Sequence, residues 1–512
     1  MCDYLIKITE VKEMIPYDKT NPSSIENYAK QLIGTTFYDV LKNNFQGKEL
    51  EEITKYYNNP RGKGSLGNLL EEYFFYYTPN SESEPDFKEA GTELKVTPYE
   101  KTQKGKIKAG ERLVIGMIPN REPIDEEFYS SHLFKKMKLI LLILYLRKKE
   151  LERTNCKIDY VTLFSILSDK CKEDLEIIKN DYKLIVDKII SGKAHELSEG
   201  DTKYLGACTK GGTADKSLQP QYYNKNVLAK RRAFSLKQSY MTYVINHYIL
   251  NDTVTYDSIF SGEDLKNIDF EQEILNRINN YKGKTEEEIY KLFDLNESKK
   301  AKNRNNIAVC RMLGVKTDKA AEFEKADIVI KTIRVKANGK PKESMSFPVM
   351  VIKKFVKEEF EESDIYNYFS KNRFLFVVFR EKNGEYILSG AKFWNMPITE
   401  LETTGKKEWE KYKNKFIDGV NFKLKIKKAK NISDKTASGN TEYIVENDLL
   451  KKKETEIFHL RPHSDKSAYL IKGKKYGNGK ETDMDELPNG DKMTKQCFWL
   501  NNTYIEKVIK DI

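Results

Sequence analysis

A chain of 512 residues with 39% hydrophobic and 12% aromatic content is long enough for two or three domains, each with its own core, and too apolar for a disordered polymer. The formal net charge of +11 leans toward a polyanionic partner, but it falls short of the extreme basicity of a tail that coats nucleic acid. Six scattered cysteines with no Cys-x-x-Cys spacing argue against a disulfide framework and against structural zinc, and fit a reducing cytoplasm.

The start, Met1-Cys2-Asp3-Tyr4-Leu5, has no basic run followed by an apolar run, so no signal peptide is expected. Residues 24–43 read as a helix capped by Ser23 or Ser24. Asn58 to Ser65 is a loop by its Pro, Gly and Asn content, and Gly67 to Phe74 reads as a helix carrying Glu71. Pro85 to Lys95 then reads as a tight hairpin, with Ala90-Gly91-Thr92 as its turn. Glu93 and Lys95 stand two apart on a strand and share a face, with Leu94 on the other, and Asp86 opens the preceding strand within reach of both.

Two carboxylates and a lysine on one wet face suit phosphodiester hydrolysis. Mg²⁺ is a hard cation that prefers carboxylate oxygens and keeps several waters. It offsets charge on a scissile phosphate and lowers the pKa of a bound water, and a lysine can orient that water. Glu-x-Lys recurs by chance in a chain that is 33% charged, so the same residues also fit a solvated strand face.

Beyond the hairpin come a basic stretch at 101–108 and a strand at 111–118. Met137 to Leu146 is the most apolar stretch. Its ten residues fall short of the roughly 20 that span a bilayer, so it reads as a buried central strand. A long helix at about 172–190 follows, then a turn at 193–200, the segment Tyr204 to Gly212, and a basic segment Lys230 to Lys237 leading into a helix that ends near Leu250. Residues 251–269 are polar and irregular and read as a linker, which divides the chain into 1–250 and 270–512. From 270 the pattern restarts, with a helix at 286–293 and a strand at 374–379; lysine-rich runs at 402–429 and 450–453 read as solvated faces.

The restart is an internal repeat. Phe234-x-Leu236-x-x-x-Tyr240 recurs as Phe498-x-Leu500-x-x-x-Tyr504. Upstream lie Cys208-Thr209-Lys210 in one half and Arg461-Pro462-His463 in the other. Asp86 to Lys95 aligns without gaps on Glu322 to Lys331, which puts Val329 in the place of Glu93. Residues 307–313 hold no acid, so Glu71 has no counterpart either. A half that keeps the frame and the basic residues but loses the carboxylates reads as a binding lobe.

These residues resemble the MutH-like branch of the restriction endonuclease fold, and most of all its GATC-cutting type II enzymes of the Sau-three-A-I type, over nearly the whole chain. The resemblance is carried by Gly91-Thr92-Glu93-Leu94-Lys95, Glu111-Arg112-Leu113-Val114, Gly192 to Gly200, Arg232 to Lys237 with Tyr240-Met241-Thr242, Lys342 to Phe347, Arg461-Pro462-His463, and Met493 to Gln496 with Phe498-Trp499. It implies an α/β fold with mixed sheets in two tandem lobes that form a pseudo-dimer. It implies a bacterial, cytoplasmic restriction endonuclease of a restriction–modification system, with no membrane segment, making a Mg²⁺-dependent double-strand cut at 5′-GATC. Asp86 and Glu93 would hold the metal, Lys95 would assist the attacking water, and Glu71 fits an extra carboxylate on the preceding helix. Lys63-Gly64, the loop ending at Lys210, and Ser235 and Lys237 match DNA-reading segments of the first lobe; Arg461, His463 and Trp499 match those of the second. The partner implied is double-stranded DNA containing GATC, up to two copies per chain, with a dimer on DNA left open.

Two departures stand out. Cys208-Thr209-Lys210 replaces the family's Arg-Pro-Lys, and Ser235 replaces an aromatic. Both weaken the case for base contacts by the first lobe, while Arg461-Pro462 and Trp499 strengthen it for the second, an allosteric site for another DNA copy. Two other readings remain: a MutH-like mismatch-repair nicking endonuclease, which needs only one lobe, and a non-catalytic GATC-binding regulator, which has no use for Asp86, Glu93 and Lys95 together.

Overall fold

The computed structural model describes residues 15–59, 65–79, 83–103, 105–210, 217–251, 257–260, 269–295, 304–317, 319–426 and 443–512. Contacts divide the chain into two compact units, one of Met1–Asp269 with Lys319–Ile328 and one of Phe270–Asp318 with Val329–Ile512. The chain changes unit near residue 270, but 319–328 belongs to the first unit and not to the second. No described helix is long and apolar enough to cross a membrane.

The first unit opens with helices. The single helix expected over 24–43 is two, α1 (Pro22–Ala29) and α2 (Phe37–Asn44). Gly34 separates them at φ +91°, and Thr36 with Asp39 closes a capping box on α2. The cap of α1 is Asn21, whose side chain accepts from the amides of Ser23 and Ser24, with Pro22 in the first turn. Helices α3 (Gly47–Asn58) and α4 (Leu66–Tyr73) follow; α4 buries Leu66, Leu69 and Leu70.

Strands β1 (Glu93–Lys101), β2 (Ile107–Ala109) and β3 (Leu113–Met117) come next. Helix α5 (His132–Met137) ends where the central strand was expected to begin, and β4 covers Ile140–Leu146. Then come β5 (Ile158–Phe164), α6 (Lys172–Ile190), β6 (Leu205–Thr209), β7 (Arg232–Leu236) and α7 (Gln238–Tyr243). One mixed sheet runs β2-β1-β4-β5, with β1 and β4 parallel and Glu93 opposite Ile140. Residues 140–145 of β4 are all buried, as befits a parallel strand covered on both faces. A second, antiparallel sheet runs β3-β7-β6.

The second unit has α8 (Phe270–Asn279), α9 (Glu286–Leu292) and α10 (Arg304–Met312). Helix α11 (Ala321–Ala326) belongs to the first unit; β8 (Ile328–Val335), β9 (Met345–Val349), β10 (Arg373–Lys382), β11 (Glu385–Trp394), β12 (Phe458–Pro462), β13 (Gln496–Leu500) and α13 (Asn502–Val508), preceded by α12 (Lys406–Asp418), complete the second. Its sheets run β8-β10-β11 and β9-β13-β12. These are the partners and chain order of β1-β4-β5 and β3-β7-β6. The registers agree as well. Leu236 faces Leu113 and Leu205, and Leu500 faces Met345 and Phe458. The Phe-x-Leu-x-x-x-Tyr repeat thus occupies one structural position twice, on the middle strand of each antiparallel sheet and the helix after it. Buried aromatics fill the second core, among them Phe369, Phe374, Phe376, Phe458 and Phe498.

The ungapped counterpart of the hairpin holds only in part. Lys95 and Lys331 both lie on the first strand of their sheet, but 86–92 is a turn and 321–326 is a helix. Glu322, aligned with Asp86, is buried in the first unit, where its carboxylate accepts from the amides of Ile259 (3.0 Å) and Phe260 (3.3 Å) and from the Ser258 hydroxyl. It is a structural cap and no vestige of a metal ligand.

Candidate active site

The site forms where α4, the turn before β1, and α5 converge. The expected hairpin is a single bridge, Phe87 with Thr92, closed by two backbone hydrogen bonds of 2.9 and 3.2 Å. Gly91 supplies the left-handed turn at φ +61°. Among the described residues no full strand precedes it. The turn nevertheless delivers Asp86, whose Oδ2 accepts from the Leu94 amide at 2.8 Å.

Alternation along β1 then sets the faces. Leu94 joins the first core, while Glu93 and Lys95 turn to the other side. Glu93 is only 1% exposed. Its Oε1 accepts from Lys95 Nζ at 2.6 Å and from Lys136 Nζ at 3.4 Å. Its Oε2 lies 3.3 Å from Lys136 Nζ as an ion pair but accepts no hydrogen bond.

Glu71, on the last turn of α4, is held up to about 7, first by burial, then by the charge of Asp86 and also of Glu93, against the pull of Lys95 and Lys136. Asp86 is raised by burial and by Glu93, with Lys95 and the Leu94 amide opposing. The buried Tyr77 hydroxyl beside them has no hydrogen-bond partner, and burial and then Asp86 push it upward. Burial first, and the neighbouring carboxylates after it, raise Glu71 and Asp86, while Lys95 and Lys136 pull both back.

Lys136 was not expected from the sequence. Its place follows from topology: β1 and β4 are parallel and Glu93 pairs with Ile140, so the end of α5 just ahead of β4 arrives beside the start of β1. The Lys135-Lys136 pair directly before the most apolar strand was the available signal.

Of the expected DNA-contacting residues, Lys63 and Gly64 lie outside the described residues. Lys210 stands just past the end of β6, its amide on the Arg231 carbonyl at 2.8 Å. Ser235 and Lys237 need correction. Ser235 is 0% exposed, and Lys237 is 1% exposed with Nζ on the Thr202 carbonyl at 2.5 Å. Every residue of β7 is buried, so alternation there produces no outward face. In the second unit the expected residues do come together. The Arg461 guanidinium lies 4.6 Å over the Trp499 ring, and His463 Nδ1 lies 3.5 Å from Cys497 Sγ. Arg461 pairs with Cys497 as Cys208 pairs with Ala233, so the first unit has a buried thiol where the second has an exposed guanidinium.

A mixed sheet whose first strand begins Glu-x-Lys, with two more acids and a second lysine at its base, defines an endonuclease of the restriction class. A family model described as "DNA mismatch repair enzyme MutH" matches residues 75–181 and 313–404, one stretch in each half of the chain. Type II restriction enzyme Sau3AI of Staphylococcus aureus is 32% identical over 484 residues, 91% of this chain and 96% of the relative. The chain belongs to this MutH-like family of type II restriction endonucleases.

Proposed function

We propose that the chain makes a double-strand cut in DNA at 5′-GATC, with catalysis by the first unit and a second, non-cutting unit that binds another DNA copy as an effector. The observation that carries the catalytic half is the buried Glu93 carboxylate, with Oε2 accepting no hydrogen bond, flanked by Asp86, Glu71 and two lysines.

This donor set fits a hard divalent cation. Among the described residues no group of three or more His, Cys, Asp or Glu side chains forms a ready metal cage. Mg²⁺ needs less, since it keeps most of its waters and takes one or two carboxylates. Asp86 and Glu93 would hold it. When bound, it offsets charge on the scissile phosphate and acidifies a coordinated water.

The other roles belong to the chain. Lys95 Nζ, now on Glu93 Oε1, orients the attacking water and meets the charge that develops on the phosphate. Lys136 adds a second positive charge from the opposite element. Glu71, with a carboxyl held near neutrality, can take a proton at pH 7.

The second unit repeats the strands but puts Val329 in the place of Glu93 and no acid on α10, which suits binding without cutting. Arg461 over Trp499 supplies a guanidinium that can pair with a guanine edge, a contact of about 1–3 kcal/mol in base discrimination.

The test is a GATC-containing plasmid incubated with the full chain in Mg²⁺ and in EDTA. Discrete linear fragments that need the metal are expected, and sequencing their ends locates the cut. Nicked circles alone would point to a mismatch-repair type of activity, and a gel shift without cutting to a regulator. Glu93→Ala should bind the duplex and fail to cut; normal cutting by that variant overturns the site assignment.

A further inference from the structure

The second unit has a cleft of ≈ 510 Å³ at the place where the first keeps its acids. Arg304 of α10, Lys331 and Arg334 of β8, and Lys342, Ser344 and Ser346 line it. Strands β8 and β9 hold the places in their sheets that β1 and β3 hold in the first unit, and Lys331 aligns with Lys95.

The charges in this cleft are not balanced. Among the described residues no carboxylate pairs with Lys331; its nearest ring is Phe347, 6.0 Å from Nζ. Arg304 has Nη1 3.7 Å from Glu287 and Nε on the Leu295 carbonyl, yet its buried Nη2 donates to nothing. Lys342 lies over the Tyr386 ring at 5.3 Å, again without an acid. Only Arg334 is fully spent, gripped by both oxygens of Glu286 at 2.9 and 3.0 Å. Two acids also touch the wall, Glu287, already on Arg304, and Glu343, which is exposed.

The positive track continues. Lys452 Nζ reaches Ser344 Oγ at 3.4 Å and also lines a neighbouring hollow of ≈ 340 Å³ with His459 and Arg461. Among the described residues no acid lines that hollow. Burial, and after it the nearby Arg461, pull the Lys452 amine down, and its Nζ also donates to Asn502 Oδ1. His459 Nε2 there is buried and unpartnered.

Cations held together in excess of the acids beside them are unfavourable until an anion joins them. We propose that this cleft is a metal-independent phosphate seat, in which Lys331 and the free edge of Arg304 grip one backbone phosphate of duplex DNA, with Lys342 and Lys452 on its neighbours and Arg461 at the base-reading end. It rests on the reading of the second unit as a DNA-binding lobe and gives that lobe its phosphate contacts. The first unit needs a cation to bring phosphate up to carboxylates. The second has kept the lysine and shed the acids, so phosphate binds directly.

The test is equilibrium binding of a fluorescein-labelled GATC duplex by the full chain in EDTA, followed from about 50 to 200 mM salt. Each phosphate contact contributes about 0.9 to the slope of log affinity against log salt. Lys331→Gln with Arg304→Gln removes that one phosphate contact and should flatten the slope by about 0.9 and weaken binding about tenfold at ~100 mM salt. Lys331→Arg should restore most of the loss at that position, which a merely misfolded unit would not permit. An unchanged slope in the double variant overturns the proposal. Inorganic phosphate and pyrophosphate form the second arm. If either at millimolar concentration displaces the duplex and raises the melting temperature as much as the duplex does, the seat serves free phosphate and the duplex assignment fails. Plasmid cutting in Mg²⁺ reads the first unit separately, so a chain that loses salt slope as expected yet never cuts GATC refutes the catalytic reading alone.

Discussion

Glu71→Gln should make the metal-free enzyme more stable while crippling it. The Glu71 carboxyl sits at about 7 in the folded chain against an ordinary 4.5, raised by burial and by Asp86. Between those two values the folded chain holds a proton that the unfolded chain has shed. Stability therefore falls as pH rises from about 4.5 to about 7, and is level on either side. The full shift of about 2.5 units corresponds to roughly 3.4 kcal/mol. Glu71 keeps some solvent contact, so about 1–2 kcal/mol is the realistic share. An amide of the same shape carries no charge to desolvate. The variant should thus match wild type near pH 4.5 and exceed it at pH 8 by about 1–2 kcal/mol, or about 3–6 °C for a unit of this size. Scanning calorimetry in EDTA at both pH values measures this. Tryptophan emission is a built-in control, because Trp394, Trp409 and Trp499 all lie in the second unit and should report a smaller shift. Adding Mg²⁺ at pH 8 should raise wild type more than the variant. A variant less stable than wild type at pH 8, or a difference independent of pH, would refute the idea that these acids burden one another.

His459 is pulled down to about 4, chiefly by burial, with Lys452 and Arg461 adding to it. A histidine with a lowered folded pKa stabilises fully above about 6.5 and loses that contribution as pH falls toward 4, so the tryptophan-detected transition should drop across that window and His459→Asn should flatten the drop. Lys325 Nζ lies 2.8 Å from Asp174 Oδ1, both inside the first unit, and Tyr248 donates to the other oxygen at 2.6 Å. Lys325→Met should cost about 3–5 kcal/mol in urea unfolding, because it strands a buried carboxylate, and adding Asp174→Asn should recover most of the loss. Val329→Glu alone should not give the second unit cutting activity on plasmid DNA in a Glu93→Ala background, since α10 carries no acid to join it.

What could be read in advance was local or periodic. Strand alternation put Glu93 and Lys95 on one face, and the Phe-x-Leu-x-x-x-Tyr repeat sits at matching registers on β7 and β13. Lys136 was hidden because its closeness to Glu93 depends on a parallel pairing across 43 residues of sequence. Ser235 and Lys237 were assigned to DNA by resemblance alone, and a motif match carries no sign that every residue of β7 is buried or that Lys237 turns inward to the Thr202 carbonyl. The break at Gly34 depends on one backbone angle in an otherwise helical composition. The return of 319–328 to the first unit follows from long-range burial of Glu322 and Lys325, which no local pattern announces.

The same energetics explain why the two units diverged in the direction they did. On the proposed reading, a catalytic cleft of this kind must gather carboxylates out of water, and the first unit would bear that as a Glu71 held near neutrality and a Glu93 clasped by two lysines. A unit that need only hold DNA has no reason to carry that strain, and any change that removes an acid from it both relieves repulsion and leaves a lysine free for phosphate. Val329 for Glu93 is such a change, and Lys331, paired with no carboxylate among the described residues, is what remains. Once the acids are gone the residual positive charge favours phosphate over metal, so the drift reinforces itself. On this argument a single carboxylate restored at 329 should weaken DNA binding by the second unit before it could ever support catalysis. Anisotropy in EDTA can detect that; tighter binding by Val329→Glu would count against the scheme.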